Sequence, residues 1–248
     1  MGVRKNKKRS REDSHISLQA VLLDLDGTLI DTASDMTYTL NQLLVEDNHP
    51  TVAEETVRGH ISGGVAELIA LGYGESYGTN AKEELCRRFL QEYSEHILDC
   101  GRATSSQLFA GMEQLLQAIE SRQIPWGIVT NKPRHLSMPL THQLELDNRL
   151  AVLVCPEDVQ RVKPDPEALL MAVRTLGCEP SACIYAGDHR RDIEAGRAAG
   201  MTTVAVRYGF IAADDSADAW GADVVVDTPQ ELLEWLDRSQ WSVPMLAS

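Results

Sequence analysis

The stretch AVLLDLDGTLIDT, residues 20–32, decides how the chain folds. An apolar run without alternation opens it, as expected of a strand buried on both faces. Asp24 and Asp26 follow, two apart, so in extended chain their side chains point the same way. Gly27 then permits a tight turn and close backbone approach. Two carboxylates this close repel unless a cation or a proton separates them. Hard oxygen ligands in that setting suit Mg²⁺. The pattern is short, and a turn decorated with helix-capping aspartates reads equally well from these residues alone.

Working outward, further short apolar runs recur at 126–130, 151–155, 183–187, 203–207 and 222–226. Amphipathic helical patterns lie between them at 111–122, 165–177 and 192–200. Strand–helix alternation predicts an α/β fold with a parallel sheet flanked by helices. From Thr32 to Ser106 no strand pattern appears. The spacing there predicts helices over 33–48, 64–72 and 81–98, with Thr32 and Asp35 as a capping pair. A helical insert therefore interrupts the sheet domain after its first strand.

Ligands of open α/β sheets bind beyond the carboxyl ends of the strands. The second strand ends in Thr130, Asn131 and Lys132, where a hydroxyl and free amides can meet a phosphate oxygen. Lys163, between the third strand and its helix, is by itself as readily a solvated side chain. The fourth strand ends in GDHRRD, 187–192, which places Asp188 and Asp192 at the same edge. Asp192 also suits a helix cap.

Composition bounds the rest. The chain has 248 residues and a net charge of −14, which argues against nucleic acid as a partner. No apolar run reaches the ~20 residues of a membrane helix, so a cytoplasmic protein without membrane contact is expected. Cys86, Cys100, Cys155, Cys178 and Cys183 form no C-x-x-C pair and read as reduced thiols. Residues 1–17 are unlike the remainder: six Lys and Arg face Glu12 and Asp13, which predicts a solvated, disordered basic tail. The sequence is silent on oligomeric state.

Asp, Asp, Thr, Lys, Asp and Asp thus stand in chain order at four successive strand ends. DLDGTLIDT, VTNK, KPDP and GDHRRD resemble the motifs of the haloacid-dehalogenase-like (HAD) superfamily, over nearly all of residues 18–240. Within it, the helical insert directly after the first motif is similar to the phosphoglycolate-phosphatase group. RGHISGG, LFAGM, WGIVTNKP, VCPEDV and WGADVVVDTPQEL are similar to phosphatases of N-acetylmuramic acid 6-phosphate in peptidoglycan recycling.

The resemblance implies a discontinuous Rossmannoid core domain, 18–32 with 107–248, and a helical C1-type cap at 33–106. It implies a Mg²⁺-dependent phosphatase acting on a small phosphorylated metabolite. Asp24 would be the nucleophile and Asp26 the general acid and base. Asp24, the Asp26 carbonyl and Asp188 would hold the metal. Thr130 and the Asn131 amide would bind the phosphoryl group, Lys163 would neutralise charge, and Asp192 would orient Lys163 or a metal-bound water. In the cap, Arg58 would meet a substrate carboxylate, and Gly63 and Gly64 would let the backbone approach; a helix break and a surface Arg fit these three equally. Arg134 and His135 are lesser candidates and His60 a bystander. His189 stands where the family often has a smaller or acidic residue. The intact Asp26 argues against a dehalogenase, and the intact set against a non-enzymatic scaffold. A β-phosphoglucomutase-like mutase shares the same acid/base residue. A nucleic-acid binder would have to rely on the tail.

Overall fold

The computed structural model describes residues 17–74, 79–98 and 105–238. The basic tail, apart from Ser17, and Cys100 lie outside these residues. The elements run β1 (Ala20–Leu23), β2 (Ile30–Asp31), α1 (Ala33–Glu46), α2 (Glu54–Arg58), α3 (Val65–Tyr73), α4 (Thr79–Leu98) and β3 (Gln107–Leu108). Then follow α5 (Met112–Ser121), β4 (Trp126–Val129), α6 (Arg134–Gln143), β5 (Val152–Val154), α7 (Glu167–Leu176), β6 (Cys183–Gly187), α8 (Arg190–Ala199), β7 (Thr202–Val206), β8 (Val224–Val226) and α9 (Pro229–Arg238). None of the described helices is long and apolar enough to cross a membrane.

Six strands form one parallel sheet in the order β5-β4-β1-β6-β7-β8. β1 is central because it is apolar on both faces. Val21 and Leu23 face one core cluster, Ala20 and Leu22 the other, and all four are fully buried. Burying one such Leu is worth roughly 1.5–3 kcal/mol. The strand stops at Leu23, before the two aspartates. The Asp24 amide still reaches the Ala186 carbonyl at 2.9 Å, but the Leu25 carbonyl turns to accept from Leu29 and Ile30. The turn at Gly27 has φ +79°, and a Cβ there would lie 1.9 Å from Asp188 Oδ2. Only glycine satisfies both demands.

β2 and β3 pair antiparallel, Ile30 with Leu108 and Asp31 with Gln107. Chain leaving the sheet region at β2 therefore re-enters beside itself at β3. Helices α1–α4 pack on one another between these two points. The expected capping pair of Thr32 and Asp35 does not form. Thr32 Oγ1 donates instead to Asp26 Oδ1 at 2.8 Å. Asp35, fully buried, accepts from the Ser105 and Ser106 amides at 3.0 and 2.9 Å, from Ser106 Oγ at 2.5 Å, and meets His96 Nε2 at 2.9 Å. Returning chain brings the Ser105 and Ser106 amides, the second of them buried, to the buried carboxylate, and they outcompete a local cap. Asp35 so ties α1, α4 and the return strand into one hinge. Asp35→Ala is expected to lower unfolding free energy by about 3 kcal/mol, because several buried donors lose their acceptor. Urea denaturation of the two proteins measures it.

Candidate active site

The carboxyl ends of β4, β1 and β6 converge on one buried ammonium. Lys163 Nζ lies 2.7 Å from Asp24 Oδ1 and 2.8 Å from Asp192 Oδ1. It donates also toward the Val129 carbonyl at 2.9 Å and the Tyr185 hydroxyl at 2.7 Å. Its side chain is 1% exposed. Burial alone would pull the Lys163 pKa down, but Asp192 and Asp24 together outweigh it and raise it. Burial pushes Asp24 upward, opposed by Lys163. Asn131 fixes the lysine from its other end: the side-chain amide donates to the Lys163 carbonyl at 3.1 Å and accepts from its amide at 3.2 Å. The main-chain amide of Asn131 makes no hydrogen bond among the described residues, and it lies beside Thr130 on the cavity wall.

Asp26 is served by a second lysine. Lys132 Nζ is 3.1 Å from Asp26 Oδ1 and 3.3 Å from Oδ2. The same ammonium sits 3.3 Å from the Tyr93 hydroxyl and 4.5 Å from that ring's centroid. Thr130 Oγ1 accepts from the Lys132 amide at 3.0 Å, which orients the hydroxyl. Both aspartates line one cavity with Thr130, Asn131 and Lys132. Each of the two carboxyl groups has its own ammonium beside it.

Asp24, Asp188 and Asp192 place one carboxylate oxygen each within 4.8 Å of the others, all buried. Asp188 Oδ2 accepts from Ser62 Oγ at 2.8 Å and from the Phe210 amide at 2.7 Å. Its Oδ1 is buried with no hydrogen-bond partner. Burial, then Asp24 and Asp192, raise the Asp188 pKa to about 8. An orphaned carboxyl oxygen beside a second carboxylate fits a hard divalent cation, which would take the place of the proton. Asp192 is less free to bind one. Its Oδ1 takes Lys163 and the Tyr185 hydroxyl, and its Oδ2 accepts from the His189 amide at 3.1 Å.

His189 closes the same loop. Its Nδ1 accepts from the Arg191 amide at 3.1 Å, so it caps α8 while Asp192 caps in return. That role requires a neutral ring, and burial with the neighbouring Arg191 lowers its pKa to about 4. Asp192 therefore caps α8 and pairs with Lys163, two of the three roles left open by the sequence.

The loop between α2 and α3 behaves differently from expectation. Arg58 does not line the cavity; it forms a forked pair with Asp31 at 2.9 and 3.0 Å and lies over the Phe210 ring. Gly63 faces a separate small cavity behind Asp188, and a Cβ there would lie 1.6 Å from the Glu67 carboxylate. Gly64 does line the main cavity, at φ +90° with open space where a Cβ would point, so its conformation is what needs glycine. His60 pairs with Glu67 at 2.7 Å. Arg134 is engaged with Asp158 and the Leu153 carbonyl, and His135 is exposed.

Tyr185, Lys132 and Ser62 were not singled out by the sequence reading. Tyr185 offered one signal, a hydroxyl inside an otherwise apolar buried strand, which demands a partner. Lys132 and Ser62 offered none, because their partners are remote in sequence.

The arrangement has counterparts. Residues 21–206 match the model of the haloacid dehalogenase-like hydrolases. An N-acetylmuramic acid 6-phosphate phosphatase of Pseudomonas putida is 44% identical over 222 residues, 90% of this chain and 97% of that protein. A phosphoglycolate phosphatase of Xanthomonas campestris pv. campestris is 40% identical over 87% of this chain and 95% of that protein. A crystal structure of a predicted phosphoglycolate phosphatase from Haemophilus somnus superposes with a TM-score of 0.76 at 21% identity, over 88% of this chain and 98% of the other. A buried Lys163 between two aspartates, at the edge where four motifs meet, thus sits on a fold and a sequence that agree, and the chain belongs to the haloacid dehalogenase-like hydrolases.

Proposed function

We propose that this chain hydrolyses a phosphomonoester through an aspartyl-phosphate on Asp24, with N-acetylmuramic acid 6-phosphate as substrate. The observation that carries the chemistry is the division of labour between two aspartates, each held by its own lysine. Lys163 fixes Asp24 Oδ1. Asp24 Oδ2 accepts no hydrogen bond among the described residues, and it is the oxygen left to attack phosphorus. As the P–O ester bond breaks, Asp26 gives its proton to the leaving alkoxide. Asp26, now a carboxylate, takes a proton from water, and the hydroxide attacks phosphorus, releasing inorganic phosphate and restoring Asp24. Thr130 and the Asn131 amide hold the transferring group, while Lys163 offsets its charge.

Mg²⁺ held by Asp24, Asp188 and the Asp26 carbonyl would supply neutralisation of the anionic pair that must meet. Residues 33–106 act as the cap, which excludes water from the cavity. The protein works in the cytoplasm on a small phosphorylated metabolite.

The apolar lining of the cavity supports the substrate choice. It is built from Met36, Ile61, Val65, Phe89, Leu90 and Tyr93. Glycolate, the leaving group of 2-phosphoglycolate, has one methylene to bury there. A muramic acid carries acetyl and lactyl methyls, each worth roughly 0.8 kcal/mol when buried. The Pseudomonas relative bears the same substrate in its name. The Xanthomonas relative favours 2-phosphoglycolate as the second reading.

Three measurements test this. Asp24→Asn should lower kcat by at least about 1,000-fold on any phosphomonoester, in protein that still unfolds cooperatively though at a lower temperature, because Lys163 loses a charged partner; retained turnover removes the nucleophile. For wild-type protein, kcat/KM should favour N-acetylmuramic acid 6-phosphate over 2-phosphoglycolate by about tenfold or more; the reverse order selects the second reading. The third concerns Asp188. Its folded-state pKa of about 8 lies above the ordinary 3.8, so the folded state binds the extra proton. In EDTA, its contribution to stability is present at low pH and lost as pH rises through about 8. A bound Mg²⁺ requires the ionised carboxylate, so added Mg²⁺ should raise the melting temperature more at pH 8 than at pH 6. Thermal melts at both pH values, with Asp188→Asn as control, read it out.

A further inference from the structure

Three cations stand at or beside the catalytic cavity, and two of them are already spent. Lys163 is shared by Asp24 and Asp192, and Lys132 by Asp26 and Tyr93. Arg191, in the first turn of α8, lines the same cavity. No carboxylate of the described residues lies within ion-pair distance of it. Its Nη2 donates to the Ser62 carbonyl, and its Nε is buried without an acceptor. Buried donors are almost always satisfied, so an orphaned guanidinium N–H beside a reaction cavity points to a missing acceptor.

The Ser62 contact fixes where that acceptor lies. Ser62 belongs to the turn between α2 and α3, on the helical side of the cavity. Phosphorus must sit on the opposite side, against Asp24, Thr130 and Asn131. What faces the helical side is therefore the leaving group. The side chains of the neighbouring wall, Ile61, Val65 and Leu90, offer a carboxylate nothing. Arg58, the other candidate for such a contact, is committed to Asp31.

We infer that Arg191 is the specificity-determining residue that receives a carboxylate carried by the leaving group of the phosphoester. The inference rests on the phosphatase reading above and deepens it. A guanidinium suits the task because its planar donor edge matches the two oxygens of a carboxylate. Nε and the uncommitted N–H groups would turn to the ligand while Nη2 keeps Ser62. One residue would thus read the leaving group and tie the α2–α3 turn to the core.

The test compares a substrate with a carboxylate to one without. Wild type, Arg191→Lys and Arg191→Met are assayed with N-acetylmuramic acid 6-phosphate and with p-nitrophenyl phosphate. The ratio of the two kcat/KM values should fall about 100-fold in Arg191→Met, mainly through KM for the carboxylate substrate, and about tenfold in Arg191→Lys. A parallel loss on both substrates, or an unchanged ratio, overturns the assignment. A measurement on wild type alone guards against a misfolded variant. Free N-acetylmuramic acid should inhibit p-nitrophenyl phosphate turnover at a concentration at least about tenfold below that of N-acetylglucosamine, which lacks the lactyl carboxylate; equal inhibition counts against Arg191. If wild type turns over 2-phosphoglycolate and leaves the muramic ester untouched, the substrate reading fails. The same ratio taken with 2-phosphoglycolate then still decides the role of Arg191.

Discussion

The ammonium of Lys163 is the constraint on which the site depends. A buried cation is tolerated only if its donors are satisfied and its charge is matched. Here the acceptors come from four places: Asp24 after β1, Val129 at the end of β4, Tyr185 within β6 and Asp192 in α8. Those elements meet only if β4 and β6 flank β1, which is the observed order. The sheet topology and the charge network therefore require each other. Removing one carboxylate would leave a buried ammonium short of a partner, so the network resists drift at every position. Tyr185 contributes without charge: its hydroxyl accepts from the lysine and reaches Val129 and Asp192, at 3.0 and 3.1 Å.

Two lysines resolve an apparent conflict in the charge balance. The chain carries −14 overall, and a phosphate ester is itself an anion. Long-range repulsion between them is screened within about 8–10 Å at ordinary salt. What the substrate meets is the local field of the cavity, and there Lys163, Lys132 and Arg191 offset much of the charge of Asp24, Asp26, Asp188 and Asp192. A divalent cation at Asp24 and Asp188 would tip that field further toward positive. Acidic surface and anionic substrate are thus compatible, because the two act over different distances.

The parallel sheet was legible because its strands are apolar on both faces and the helices between them keep a clean period. The grouping of Asp24, Asp26 and Asp188 was legible for another reason: each follows a strand of the sheet closely, where backbone geometry alone dictates proximity. Side chains whose partners are remote in sequence were not legible. Lys132 follows Thr130 in plain view, yet its pairing with Asp26 and Tyr93 crosses 106 and 39 positions. Arg58 shows the opposite failure. A free-looking arginine in a glycine-bearing loop invited a substrate contact, and only the folded β2 strand presents Asp31 to it. Thr32 and Asp35 fit a local capping rule, but tertiary acceptors and donors claimed both. Local rules fail where a buried group elsewhere has a greater unmet need.

That same competition shapes the join between helices and sheet. At the junction of α1, α4 and the returning chain, Asp35 satisfies the amides of Ser105 and Ser106, so the connection there draws on no group that lines the cavity. At the cavity the joins are of another kind. Ser62 reaches Asp188, Arg191 reaches the Ser62 carbonyl, and Lys132 reaches Tyr93. Each of these contacts uses a group on or beside the reaction path. A ligand that draws on Lys132 or Arg191 must therefore alter the hold between α1–α4 and the sheet. One end of the helical layer is fixed by a ligand-independent knot, and the other is fastened through residues the substrate itself approaches.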